Sequence, residues 1–195
     1  MNTLNNDIVK SRLNEALSKL YEEDSALLEN SAHERSVTHK LGEYLQKLFP
    51  NFDVDCEYNL DIDNKEGYRK KWVSKKAKNE LKERLKNIKS DLNPENFDLN
   101  DEINKLSSNF YPDIIIHKRR SNKHNLLIIE AKKKNAELSF DKEKLKAFTH
   151  SVNKHHKYNY QLGALVILDV GDNFKRNEFT EPIYFIDGDE KIQQE

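Results

Sequence analysis

Three residues in the second half of the chain have the types and spacing that phosphate-ester chemistry requires: Asp113, Glu130 and Lys132. Tyr111 to Lys118 carries the run Ile114-Ile115-Ile116, and Asn125 to Lys133 carries Leu126-Leu127-Ile128-Ile129. Both runs are short, apolar and partly β-branched. The polar stretch from Arg119 to His124 separates them, so together they predict a buried β-hairpin. If Lys118 pairs with Asn125 across the turn, the same register opposes Asp113 to Glu130. Directly opposed residues on antiparallel strands have Cβ atoms roughly 4.5–5.5 Å apart. Two carboxylates at that separation repel each other unless a cation lies between them. Lys132, two residues beyond Glu130, falls on the same strand face. Hard carboxylate oxygens bind Mg²⁺, and a bound Mg²⁺ or Mn²⁺ acidifies water and neutralises charge growing on a phosphate. A lysine beside it orients or deprotonates that water. The chemistry these residues imply is metal-assisted hydrolysis of a phosphodiester. The plainer alternative is a buried hairpin in which Asp113 and Lys132 form an ion pair.

The elements that must position these groups follow from periodicity. Residues 7–29 read as a helix, with Leu13, Ala16, Leu17, Leu20, Leu27 and Leu28 near one stripe. A second helix is expected from near Ser31 to Phe49, stopped by Pro50. The alternating segment 52–60 predicts a first strand. A long basic helix over 68–90 has a narrow stripe of Val73, Ala77, Leu81, Leu85 and Ile88, and a short acidic helix is expected at about 98–108. After the hairpin come a helix over 140–156, a strand over 161–169 and a short strand from Ile183 to Ile186. The fold class expected is α/β, a mixed β-sheet flanked by helices. The division expected is a single domain over 1–195, with an N-terminal helix (1–30), a core (31–60 and 111–187) and a helical insertion (61–110).

Pro112-Asp113, a gap of sixteen residues and then Glu130-Ala131-Lys132 resembles the PD-(D/E)xK motif of restriction-endonuclease-like nucleases. The order helix, three strands, helix, strand over roughly residues 31–170 is similar to that superfamily's common core. The resemblance implies Asp113, Glu130 and Lys132 as catalytic residues and Mg²⁺ or Mn²⁺ as cofactor. It further implies the main-chain carbonyl of Ala131 as a metal ligand and an acidic residue from the preceding helix, for which Glu34 is best placed. Glu34 has a second reading: Ser31-Ala32-His33-Glu34 fits a capping box, in which the glutamate bonds back to the N-cap amide. The implied substrate is nucleic acid, DNA ahead of RNA. The resemblance also admits a homodimer or a larger defence or mobile-element complex. The insertion at 61–110 departs from the pattern and leaves substrate preference open.

Charge distribution adds to this. The net charge is only −1, yet residues 65–89 hold eleven Lys and Arg against three Glu, and such asymmetry counts for more than the total. Arg69, Lys70, Lys71, Lys75, Lys76 and Lys78 are expected to contact phosphates without regard to sequence, with Trp72 stacking on a base. A solvated helix face is the alternative. Lys142 and Lys146, one turn apart on the helix after the hairpin, face either substrate or water. Glu57 on the first strand is a further acidic candidate, and His117, sharing a face with Asp113, is a weaker candidate for activating water. Cys56 is the sole cysteine, which excludes an internal disulfide framework and a cysteine-based zinc site. A cytoplasmic setting is expected, with no membrane partner, because no apolar run reaches spanning length. Two readings compete with the enzyme: a catalytically inactive nucleic-acid-binding module on the same fold, and a protein-interaction module using the charged helices.

Overall fold

A six-stranded mixed sheet organises the protein, whose computed structural model describes residues 4–59, 71–72, 79, 108–109, 111–119, 121–151 and 158–191. The strands are β1 (Asp53–Cys56), β4 (Ile114–His117), β5 (Leu127–Lys133), β6 (Leu162–Leu168), β7 (Ile183–Ile186) and β8 (Asp189–Lys191), in that spatial order. Helices α1 (Asn6–Glu23), α2 (Ser25–Glu29) and α3 (Glu34–Leu48) precede β1, and α4 (Ser139–Thr149) links β5 to β6. A separate two-stranded ladder pairs β2 (Lys71–Trp72) with β3 (Ser108–Asn109). Among the described residues only β5 and β6 pair in parallel, and a parallel pair needs a crossover of the kind α4 makes. No helix among the described residues is long and apolar enough to cross a membrane.

The continuous apolar runs are explained by burial on both faces of the sheet. Ile114, Ile116, Leu127, Ile129 and Ala131 face the core shared with α1 and α3. Ile115 and Ile128 face the opposite way, against Leu145 and Phe148 of α4. All are fully buried, and each side chain larger than Ala131 contributes about 1.5–3 kcal/mol of transfer free energy. By alternation Asp113, Glu130 and Lys132 belong to the α4 face. The hairpin register is the one expected from the sequence: Ile114 opposes Ile129, Ile115 opposes Ile128 and Ile116 opposes Leu127.

Several expectations are corrected. The hairpin ladder stops short of the turn, where Lys118 bridges Ser121 instead of pairing with Asn125. The first helix breaks at Asp24, where the Tyr44 hydroxyl on α3 engages the carboxylates of both Glu23 and Asp24. Residues 71–72 are extended and pair with 108–109 rather than starting a helical run, and Ser108 is a strand residue rather than the end of a helix. Apart from Asn79, the rest of the insertion, including Arg69, Lys70, Lys75, Lys76 and Lys78, lies outside the described residues. β8, pairing with β7 after a turn at Asp187-Gly188, was not expected from the sequence.

Gly163 on β6 leaves no space for a side chain. A Cβ there would lie 3.0 Å from Thr149 Cγ2, 3.2 Å from Phe185 Cβ and 3.4 Å from Leu145 Cδ2. Gly163→Val should therefore overpack the α4 face and cost about 1–3 kcal/mol. Urea unfolding should show a lower midpoint with an unchanged slope; an unchanged midpoint would mean that α4 does not pack as described.

Candidate active site

The site is built where β5 runs past the end of its ladder with β4 while β6 still pairs with it. Asp113 sits at the bend before β4. Its main-chain oxygen accepts from the Glu57 N–H at 3.2 Å, which ties the bend to the end of β1. Its Oδ2 accepts from the Ala131 N–H at 2.7 Å. The sheet thus holds the Asp113 carboxylate against the strand that carries Glu130 and Lys132.

Glu130 is 2% exposed. Its Oε2 accepts from Lys144 Nζ on α4 at 2.8 Å, while its Oε1 is buried with no hydrogen-bond partner among the described residues. Lys144 also pairs with Asp141 Oδ1 at 2.7 Å, one turn earlier on the helix. Burial pushes the Glu130 carboxyl well above the usual glutamate range; Lys144 opposes this, and the neighbouring charge of Asp113 adds to it. Desolvation likewise raises Asp113, against the pull of the Ala131 N–H, Lys132 and Lys144, with Glu34 adding to the rise. Loss of water alone would lower Lys144, yet Glu130 and Asp141 hold it above the ordinary lysine value.

Glu34 reaches the same end of β5. Its Oε1 accepts from the Lys133 N–H at 3.1 Å, and its Oε2 lies 3.7 Å from Lys132 Nζ. The capping-box reading is overturned. Ser31 has a left-handed φ of 50° and donates its N–H to Leu28 O at 3.0 Å, so it closes α2 instead of opening α3. The N-cap of α3 is His33, whose Nδ1 accepts from the Arg35 N–H at 3.2 Å. Ser31 accepts from Lys133 Nζ through both its main-chain oxygen and its hydroxyl.

The other candidates are engaged elsewhere. Glu57 pairs with Arg35 at 2.6 Å. His117 is buried, its Nε2 2.9 Å from Asp55 Oδ2, and Asp55 also binds the Arg119 guanidinium. Lys142 pairs with Glu190 on β8 at 2.9 Å, and Lys146 is exposed. Lys144 and Asp141 were missed in the sequence. A signal for them existed, since the inward stripe of Leu145 and Phe148, followed back one turn, reaches 141 and 144.

Among the described residues, no three His, Cys, Asp or Glu side chains converge closely enough to hold a metal unaided. The donors present nonetheless suit Mg²⁺, which keeps several waters and commonly takes only one or two protein carboxylates. Glu130 Oε1, buried without a hydrogen-bond partner among the described residues, is an open oxygen such an ion would take, and a bare buried acceptor costs about 1–3 kcal/mol. No protein-family model, curated protein or solved structure matches the chain.

A carboxyl with a raised folded-state pKa is most destabilising above that pKa, and the penalty fades as pH falls toward its unfolded value. Asp113→Asn keeps an acceptor for the Ala131 N–H but removes the charge. At pH 7.5 without divalent metal this variant should melt higher than wild type, and the gap should close near pH 4. A lower melting temperature at pH 7.5 would contradict the electrostatic account of the site.

Proposed function

We propose that the protein is a metal-dependent nuclease with a restriction-endonuclease-like core, hydrolysing phosphodiester bonds with DNA as the favoured polymer. The observation that carries this reading is the desolvated pair Asp113 and Glu130, with a bare buried oxygen on Glu130 and Lys132 two residues along the same strand face. The fold supports it through the hairpin register and the helix that crosses over to β6. Asp113 and Glu130 would hold Mg²⁺ or Mn²⁺, with the Ala131 carbonyl and Glu34 as further ligands. When bound, the ion supplies a more acidic water and a counter-charge for the phosphate.

The chain's own residues do the rest. Glu34 holds Lys132 only loosely, at 3.7 Å, so the ammonium remains free to swing toward a phosphate oxygen or the attacking water. There it would stabilise the charge that grows in the transition state. The cations of residues 65–89 would draw in the nucleic-acid backbone by releasing its counterions. The competing reading, a module that binds nucleic acid without cutting it, draws on the same contact, because Lys132 is paired with Glu34.

The test is incubation of the full chain with linear, supercoiled and single-stranded DNA and with RNA, in Mg²⁺, Mn²⁺ or EDTA. Wild type should cleave only with metal, and Asp113→Ala, Glu130→Ala and Lys132→Ala should each abolish cleavage while remaining folded. Retention of nucleic acid with no cleavage under any condition would favour the binding module. Full activity in two of the three variants would remove the site.

A further inference from the structure

We propose that Lys144, anchored by Asp141, is a positioning residue that aims Glu130 at a divalent cation held between Glu130 and Asp113. The inference rests on the metal-dependent reading above and adds a helix-borne lysine that the motif Glu130-Ala131-Lys132 does not contain. The two oxygens of Glu130 have different surroundings. Oε2 takes the Lys144 ammonium at 2.8 Å, while Oε1 has no partner among the described residues although the residue is 2% exposed. An ion pair that satisfies one oxygen of a buried carboxylate and leaves the other bare is costly, and a second cation on the bare oxygen removes that cost.

The ammonium itself is fixed by the helix. Asp141 Oδ1 holds it at 2.7 Å from one turn back, and the Phe140 ring centroid lies 5.1 Å away. Leu145 and Phe148 on the same helix are fully buried against the sheet. Packing of α4 therefore sets where the ammonium stands. The ammonium sets the rotamer of Glu130 and turns Oε1 toward the ligand. Lys132 cannot perform this task, because its nearest carboxylate is Glu34 at 3.7 Å. The two lysines divide the work: Lys144 orients a ligand of the ion, and Lys132 stays available to substrate.

Calorimetric titration of the full chain with Mn²⁺, without substrate, reads this separately from cleavage. Wild type should bind, and Asp113→Asn should bind much more weakly. Lys144→Met should bind at least about tenfold more weakly than wild type, Lys144→Arg should recover part of the loss, and Asp141→Asn should fall between wild type and Lys144→Met. If Lys144→Met does not fold, Asp141→Asn carries the test, and a clear loss of affinity there supports the proposal. Unchanged affinity in the lysine or Asp141 variants would overturn it and leave Lys144 a purely structural residue. Tighter binding by Lys144→Met would also overturn it, since the ammonium would then compete with the ion. Equal binding by wild type and Asp113→Asn, or none by wild type, would defeat the underlying reading instead.

Discussion

The structure depends on one unfavourable juxtaposition, a buried Glu130 beside a desolvated Asp113. Removing two carboxylates from water next to each other costs free energy that packing alone does not return. The chain answers with the Lys144 ammonium on one Glu130 oxygen and the Ala131 N–H on Asp113. Neither touches the second Glu130 oxygen. A locally destabilised polar pair, held rigid by a well-packed scaffold, is the arrangement expected where binding or chemistry is carried at some expense to stability.

The scaffold accounts for the rigidity. A one-residue slip of β5 would turn Glu130 away from the α4 face, where Lys144 pairs with it, and into the apolar core shared with α1 and α3. That constraint locks the register that brings Asp113 to the strand of Glu130. β5 continues beyond the hairpin ladder because β6 supports it in parallel from Leu127 through Lys133. The last residues of β5 then meet Glu34 at the start of α3. Two helices, α3 from far upstream and α4 from just downstream, thus converge on the end of β5.

Much of this was legible in the sequence because it rests on local pattern. The runs Ile114-Ile115-Ile116 and Leu126-Leu127-Ile128-Ile129 specified a buried hairpin, and counting across its turn specified the partners of each isoleucine. The features that were missed depend on contacts between distant segments. Ser31 and Glu34 match a local capping pattern, yet Ser31 serves the helix before it and Glu34 serves a strand about a hundred residues away. Lys71–Trp72 continue a helical period on paper, but pairing with Ser108–Asn109 overrides propensity. Lys142 and Lys146 lie one turn apart, but spacing between the two does not fix which face of α4 turns inward. Measured from the buried Leu145 and Phe148, the inward position is Lys144.

A cation site formed jointly by the carboxylates of Asp113 and Glu130 should tie metal binding to folding. A ligand that binds only the folded state stabilises it by RT ln(1 + [L]/Kd) and so raises its melting temperature. The most direct test is the thermal melt of wild type and of the double variant Asp113→Asn, Glu130→Gln, each with and without millimolar Mn²⁺ at pH 7.5. Wild type should shift clearly upward with Mn²⁺ and the double variant should not shift at all. An equal shift in both proteins, or no shift in wild type, would contradict a cation site there.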